Sequence, residues 1–375
     1  KFKEGANAIK DIKDGYTLWG GYWNQAYYPS RHNAYMPAQT KENQIPVPIF
    51  RMLGSDPIYQ YETGVGTNGQ DVISLEPVYR EAGKNREWVK YFLESIVNQP
   101  SLAFNYAQAG QENSFTWSSM EEGLKMQFSL FKSLRDEGKI RIETLENSGK
   151  WFKDRFIMTP ATAVTTLTDI REEGNKTVWF NSRFYRASLL WEKDGFCFRD
   201  IHMFDENLQS DYLTTPGTGN QFFYYTLPVI DRFYWSTPEE KTGLQIMQLE
   251  DDGSVKEIVL KDPVVTEPAI DVLCVSTSDG KGNRFEIVFY ENKIDISYKG
   301  DKKDFRWLMA LKVPESRKDR LPFESFEATV LRAKFKGFPY KITCEQGFIQ
   351  KGDKTEYDLK MVPNKHKLLI NCTNR

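Results

Sequence analysis

Histidine and cysteine are scarce in this 375-residue chain, which contains three His and four Cys. No two cysteines form a Cys-x-x-Cys pair, which excludes a zinc ribbon or a dithiol redox site. The chain also lacks a His-Glu-x-x-His motif, a phosphate-binding loop and a dinucleotide-binding glycine motif that opens a helix. We therefore expect neither a metal site nor a cofactor. Cys344 and Cys372 could form a disulfide if their strands are neighbours, and otherwise remain thiols.

An excess of one charge is also missing. Fifty basic and 52 acidic residues leave a net charge of -2. This balance argues against nucleic acid or an anionic membrane surface as the main partner. No run of about 18 apolar residues occurs, so we expect no transmembrane helix. The chain also shows no signal-peptide pattern.

Aromatic residues, by contrast, are abundant and make up 14% of the chain. Aromatic rings pack against the C–H faces of sugar rings, and they also fill the cores of large β-rich domains. The composition therefore fits a carbohydrate-binding protein and a β-rich core equally well.

The hydrophobic pattern changes character near residue 174. Before it, short apolar runs such as Val72–Leu75 and Leu102–Tyr106 alternate with amphipathic segments over 85–97 and 118–138. This alternation predicts βαβ units, so we expect residues 1–173 to form a distorted or partial (β/α) barrel. After residue 174, closely spaced strands and turns predict an antiparallel β-sandwich over 174–375. Only about five barrel strands can be counted, so we expect further strands upstream of Lys1.

Carboxylates at the predicted strand ends suggest the chemistry. Glu76 and Glu112 each follow a short apolar run, at the edge where a (β/α) barrel carries its catalytic groups. Hydrolysis of a glycosidic bond needs two carboxyl groups, one acidic and one ionised. We therefore expect Glu76 and Glu112 to be the catalytic pair, with Asp56 orienting the substrate or tuning a pKa.

An aromatic loop over 19–35 is the predicted substrate platform. Its rings could stack on sugars, and its basic groups could bind polar substituents. Amide side chains around Glu112 and a nearby Trp would extend it. The predicted substrate-binding residues are Trp19, Trp23, Tyr28, Arg31, His32, Gln108, Gln111 and Trp117.

A second polar group lies in the strand-rich half. Asp200 and His202 alternate along one strand, with Asp205 nearby. Such a group could bind a metal, but we expect a structural hydrogen bond instead.

The segments 27–32 (Tyr-Tyr-Pro-Ser-Arg-His) and 45–48 (Ile-Pro-Val-Pro) resemble part of the bacterial (β/α) barrels of the polysaccharide-deacetylase-like and glycoside-hydrolase group. The chain as a whole is similar to gut-bacterial proteins from polysaccharide-utilisation systems. The resemblance implies a barrel that acts on glycans. The paired-Asp and His-x-x-x-His motifs of a deacetylase are absent from this sequence.

Together these observations predict a carbohydrate-active protein, in the first instance a glycoside hydrolase acting on an oligo- or polysaccharide. Two alternatives remain open: a non-catalytic glycan-binding protein on a barrel scaffold, and a metal-dependent deacetylase whose ligands lie upstream. The glycan hypothesis and the non-Met first residue lead us to expect a secreted, periplasmic or cell-surface bacterial protein.

Overall fold

The computed structural model describes residues 25–50, 54–67, 72–111, 115–193, 195–216, 218, 225–352 and 357–374. Trp19, Trp23 and Glu112 lie outside these residues, so the predictions made for them are not addressed by the structure.

Helices lie mainly between residues 59 and 155. The longer ones follow the amphipathic patterns in the sequence, and Asn85 caps the second helix by accepting hydrogen bonds from the N–H groups of Glu87 and Trp88. Two short strands, β1 (Ala26–Tyr27) and β2 (Ile49–Phe50), pair with each other ahead of them. The helices are α1 (Tyr59–Glu62), α2 (Arg86–Asn98), α3 (Trp117–Asp136), α4 (Leu145–Arg155) and α5 (Arg232–Trp235). Two 3₁₀ turns span Asp211–Leu213 and Glu315–Arg320.

The rest of the described chain is mostly β-strand. The strands that follow α4 are, in chain order, β3 (Thr162–Thr166), β4 (Lys176–Asn181), β5 (Tyr185–Glu192), β6 (Gly195–Met203), β7 (Leu227–Asp231), β8 (Gly243–Leu249), β9 (Val255–Glu257), β10 (Lys261–Ala269), β11 (Val272–Ser278), β12 (Arg284–Phe289), β13 (Lys293–Tyr298), β14 (Trp307–Lys312), β15 (Phe323–Phe326), β16 (Val330–Phe335), β17 (Phe338–Cys344), β18 (Gly347–Lys351), β19 (Leu359–Pro363) and β20 (Lys367–Asn371).

These strands form two large sheets. The ten-stranded sheet has the order β18-β19-β14-β8-β6-β5-β4-β3, with β7 added beside β6 and β9 beside β8. The eight-stranded sheet has the order β10-β11-β12-β13-β20-β17-β16-β15. Strand-rich, sandwich-like sheets were expected after residue 174 and are present.

The main core lies between the two sheets. Alternate residues of β12 point inward, so Phe285, Ile287 and Phe289 are all fully buried. Phe180 of the larger sheet stacks on Phe289 of the smaller one, with ring centroids 5.2 Å apart. Trp307 meets Phe285 edge to face at the same distance. Interleaved aromatic rings therefore join the two layers.

The larger sheet is also buried on its outer face. β4, β5 and β6 are buried along almost their whole length, rather than at every second residue. Residues 54–67 cover this face: the Trp179 indole donates to the Pro57 carbonyl, and the Arg199 guanidinium donates to the carbonyls of Pro57 and Ile58. A sheet covered on both faces has near-continuous apolar runs, which resemble the runs of a parallel sheet.

The predicted (β/α) barrel is therefore wrong. All strand pairings among the described residues are antiparallel. The apolar runs at 72–75 and 102–106 make only the isolated bridges Ser55↔Ser74 and Leu102↔Thr162. These runs are hydrophobic because they pack beside helices and loops, a local pattern that does not distinguish them from barrel strands.

Two further expectations concern membranes and disulfides. Within the described part of the chain, no helix is long and apolar enough to cross a membrane. Cys344 and Cys372 do not pair, and all four cysteines are free. Burial raises the pKa of the Cys344 thiol to about 11.

The contact between α3 and the segment before α2 gives a direct test of the fold. A Cβ at Gly123 of α3 would lie 2.3 Å from the Pro77 carbonyl oxygen. We expect Gly123→Ala to lower the free energy of unfolding by about 1–3 kcal/mol, because the backbone must shift. Gly149 of α4 has open space around it. Gly149→Ala should instead raise the stability by about 1 kcal/mol, through helix propensity alone. Urea unfolding of both variants measures the difference, and equal stabilisation would show that α3 does not pack on Pro77.

Candidate functional site

Asp56 is a buried helix cap. Its side chain is 1% exposed. One carboxylate oxygen accepts hydrogen bonds from the backbone N–H groups of Ile58 and Tyr59, and the other accepts from the Trp88 indole at 3.0 Å. Burial raises the pKa of Asp56, and these hydrogen bonds oppose the rise. The carboxylate thus links the start of α1 to α2, and its predicted catalytic role stays a prediction.

Glu76 and Gln111 are brought together. The Gln111 amide donates to Glu76 Oε1 at 2.8 Å, and the Ser74 hydroxyl lies 3.3 Å from Glu76 Oε2. Glu76 is 3% exposed. A predicted catalytic residue therefore contacts a predicted substrate-binding residue, which is the neighbour of Glu112 in the sequence.

The described part of the aromatic loop, residues 25–35, is mostly buried. Tyr28 is buried against Phe152, its hydroxyl donates to the Phe156 carbonyl, and its N–H donates to the Thr159 hydroxyl. Arg31 is exposed. The His32 imidazole Nδ1 lies 3.0 Å from the Glu206 carbonyl oxygen.

The remaining predicted binding residues are further along the chain. Gln108 is half-buried in the irregular segment that leads to Gln111. Trp117 begins α3 and is 57% exposed. The structure thus joins Glu76 and Gln111 directly, and it leaves Tyr28 in a separate aromatic core with Phe152.

A second polar centre lies on the outer face of the larger sheet, and we call Arg186, Asp200, His202, Thr226 and Asp231 the His202 centre. The strand register places Asp200 of β6 opposite Asp231 of β7, and His202 opposite Arg186 of β5. Side chains that are directly opposite across antiparallel strands lie on the same face and touch.

A β-bulge in β6 brings these charges to one face. Leu189 pairs with Phe198, whereas Ser188 pairs with Asp200, so Arg199 is the extra residue. Phe198 points into the core between the sheets, while both Arg199 and Asp200 bond to side chains on the outer face. Without the bulge, strict alternation would turn one of these two charged residues into the apolar core.

The charges of the His202 centre are partly compensated. The Arg186 guanidinium donates to both oxygens of Asp200, at 2.9 and 2.7 Å, and both side chains are fully buried. Asp231 Oδ1 accepts the backbone N–H of Tyr234 at 2.8 Å, at the start of α5. Asp200 thus has a charged, bidentate donor, while Asp231 has a neutral one.

His202 is bonded on one side only. Its Nδ1 lies 2.8 Å from the Thr226 hydroxyl. Its Nε2 is buried and makes no hydrogen bond within the described residues, although it lies 3.8 Å from Asp200 Oδ2 and 3.6 Å from Asp231 Oδ2. Both distances exceed a hydrogen bond. Among the residues that the structure describes, no group of three His, Cys, Asp or Glu side chains could hold a metal ion.

Tyrosines surround Asp231. Burial, the Asp231 charge and the neighbouring Tyr225 and Tyr35 raise the pKa of the Tyr234 hydroxyl. The Tyr234 side chain is 37% exposed, whereas Asp231 and His202 are each 4% exposed. The His202 centre is therefore buried, and the partly exposed Tyr234 binds it through its backbone N–H.

The sequence pattern indicates two of the five residues of this centre. Asp200 and His202 were recognised by their alternation, but Asp231, Arg186 and Thr226 were not. Asp231 ends a short apolar run, Leu227–Asp231, which is the same signal that drew attention to Glu76.

The buried Arg186–Asp200 pair allows a stability test. We expect Arg186→Met to lower the free energy of unfolding by about 3–5 kcal/mol, because it leaves Asp200 charged and buried. The double variant Arg186→Met/Asp200→Leu should lose less unfolding free energy than Arg186→Met alone. Arg135→Ala, which breaks an exposed pair with Asp136, should cost under about 1 kcal/mol. Chemical denaturation of the three variants would contradict the buried pair if Arg186→Met matched Arg135→Ala.

Comparisons with known proteins add a distant likeness. No family model matches the chain, and no curated protein matches it. The chain is similar to a solved structure of a candidate glycoside hydrolase/deacetylase from Parabacteroides distasonis, with 14% identity and a TM-score of 0.42, over 63% of this chain and 53% of that one. It is also similar to YidC from Thermotoga maritima, with 11% identity and a TM-score of 0.30, over 56% of this chain and 50% of that one. The chain thus spans about half the length of each. At these levels, the function has to be inferred from the chain's own side chains.

Proposed function

We propose that this chain is a carbohydrate-active enzyme that hydrolyses a glycosidic bond at the His202 centre. The observation that carries the proposal is the register that sets Asp200 directly opposite Asp231, with His202 Nε2 within 4 Å of both. Glycosidic hydrolysis requires two neighbouring carboxyl groups.

The two carboxyl groups have different surroundings, as this chemistry demands. Asp200 accepts two hydrogen bonds from the Arg186 guanidinium, and we assign it the role of base or nucleophile. Asp231 accepts a hydrogen bond from a neutral backbone N–H and lies opposite Asp200. We assign Asp231 the role of general acid, because the reaction needs one carboxyl group in each role.

His202 would act as a positioning residue. The Thr226 hydroxyl holds Nδ1, which leaves Nε2 directed at the two carboxylates. A movement of well under 1 Å would bring Nε2 within hydrogen-bonding distance of either one. His202 could therefore hold a proton beside Asp231 during the reaction.

A carbohydrate substrate is supported by the tyrosine next to Asp231. Tyr234 donates its backbone N–H to Asp231, and its side chain is 37% exposed. Tyrosines offer an apolar face for the C–H groups of a sugar and a hydroxyl for its oxygen atoms.

Glu76 is the competing acid. Its hydrogen bond to Gln111 places the residue before Glu112 against it, so the Glu76/Glu112 pair remains a second proposal for the same reaction. The His202 centre is favoured because its two carboxylates lie opposite each other on neighbouring strands.

Replacing one carboxylate from each pair separates the two proposals. We expect Asp231→Asn to lower hydrolysis at least about 100-fold, because the amide cannot act as the acid. The amide oxygen can still accept the Tyr234 N–H, so the fold should persist. Glu76→Gln should retain activity within about threefold of the original chain. Release of reducing ends from a panel of oligo- and polysaccharides, with thermal unfolding as the folding control, is the measurement. Loss of activity in Glu76→Gln alone would assign the reaction to Glu76, and no hydrolysis of any glycan by the original chain would reject the proposed function.

A further inference from the structure

An open pocket is lined by no residue of the His202 centre and not by Glu76. Its volume is about 280 Å³, close to the lower end of roughly 300 Å³ for small-molecule sites. It is formed where the segment after β6 meets the start of β17 and the residues after β20. The lining residues are Gln39, Phe184, Asp205, Asn207, Phe338, Pro339, Thr373 and Asn374.

One wall of the pocket is a pre-arranged polar group. Asp205 Oδ1 accepts the backbone and side-chain N–H groups of Asn207, both at 2.9 Å. Asp205 Oδ2 accepts the Asn374 amide at 2.8 Å, and Asn374 Oδ1 accepts the Lys341 backbone N–H at 3.1 Å. The buried carboxylate is therefore held in one orientation by three chain segments.

This wall still has unused hydrogen-bonding capacity. An ionised carboxylate offers about four acceptor positions, and the three bonds from Asn207 and Asn374 occupy three of them. Within the described part of the chain, no donor reaches Asn207 Oδ1, and Asn207 is exposed. The Asp205 carboxylate and Asn207 Oδ1 can each accept a hydrogen bond from a ligand hydroxyl.

The opposite wall is apolar. Phe184 and Phe338 are half-buried in the pocket, and the Pro339 ring lies beside them. The Arg183 guanidinium lies 5.5 Å from the Phe184 ring centroid and donates to the Gln39 carbonyl at 3.0 Å, and it is paired with Glu291. The buried Glu206 binds the N–H groups of Gln39 and Thr40. Charges of both signs therefore lie next to the lining residues, which suits a neutral ligand.

We propose that this pocket binds one neutral sugar ring, with hydroxyl groups toward Asp205 and Asn207 and a C–H face against Phe184 and Phe338. Its size suits a single sugar ring rather than several linked sugars. The choice of a sugar as the ligand rests on the proposed function, but the pocket does not depend on hydrolysis at the His202 centre.

Saturation-transfer NMR tests the pocket with glucose, galactose, mannose, xylose and N-acetylglucosamine as probes. The binding measurements use the original chain, because a free monosaccharide has no glycosidic bond to hydrolyse. We expect at least one of these sugars to bind, and Asn207→Ala to weaken its binding on the order of 10-fold through loss of the side-chain contact. Asn147→Ala, which changes an exposed Asn on α4, is the matched control and should leave binding unchanged.

Phe338→Ala tests the apolar wall and should weaken the binding of the same sugar. Binding of none of the five sugars, or equal binding by Asn207→Ala and the Asn147→Ala control, would overturn the pocket proposal. If the original chain hydrolyses a glycan in an Asp231-dependent way but none of the five sugars binds this pocket, only the pocket proposal is rejected. If a sugar binds this pocket but the original chain hydrolyses no glycan, only the proposed hydrolase function is rejected.

Discussion

The buried guanidinium of Arg199 joins the helical half of the chain to the larger sheet. Its five N–H groups all find acceptors: the Ser188 and Thr177 hydroxyls on the sheet, and the Pro57 and Ile58 carbonyls and Glu62 on the covering segment. The guanidinium also lies about 5 Å from the rings of Tyr61 and Trp179. A buried charge is tolerated only with such complete pairing, so residues 54–67 and the sheet must be positioned together.

Glu62 extends this interaction along the sheet. It accepts hydrogen bonds from both Arg199 and Arg232, and Arg232 also binds Glu192. Burial by itself would raise the pKa of Glu62, but the two arginines overcome this effect and lower it. The outer face of the larger sheet is therefore polar and yet buried, because its ionic groups have partners. Arg199 and Arg232 bind Glu62 of the covering segment, and Arg186 binds Asp200 on the sheet itself.

The same bulge that directs Arg199 outward also creates the His202 centre. By placing Arg199 and Asp200 on one face, it sets Asp200 beside Arg186 and opposite Asp231. Bulges are frequent beside functional sites because they redirect one side chain without unfolding the strand. The covering segment thus has two consequences: it stabilises the charges near Arg199, and it leaves the end of the sheet near Tyr234 closer to solvent.

The sequence by itself determined the elements that depend on neighbours a few residues away. The apolar spacing predicted α2 and α3 closely. It also revealed the strand-rich second half. Only the tertiary structure decided which strands pair, that the runs around 72–75 and 102–106 join no parallel sheet, and that Asp231 lies opposite Asp200. The physical reason is that strand pairing is a long-range choice, whereas hydrophobic periodicity is local. One bulged residue, which no periodicity marks, changes the face on which every later side chain of its strand lies.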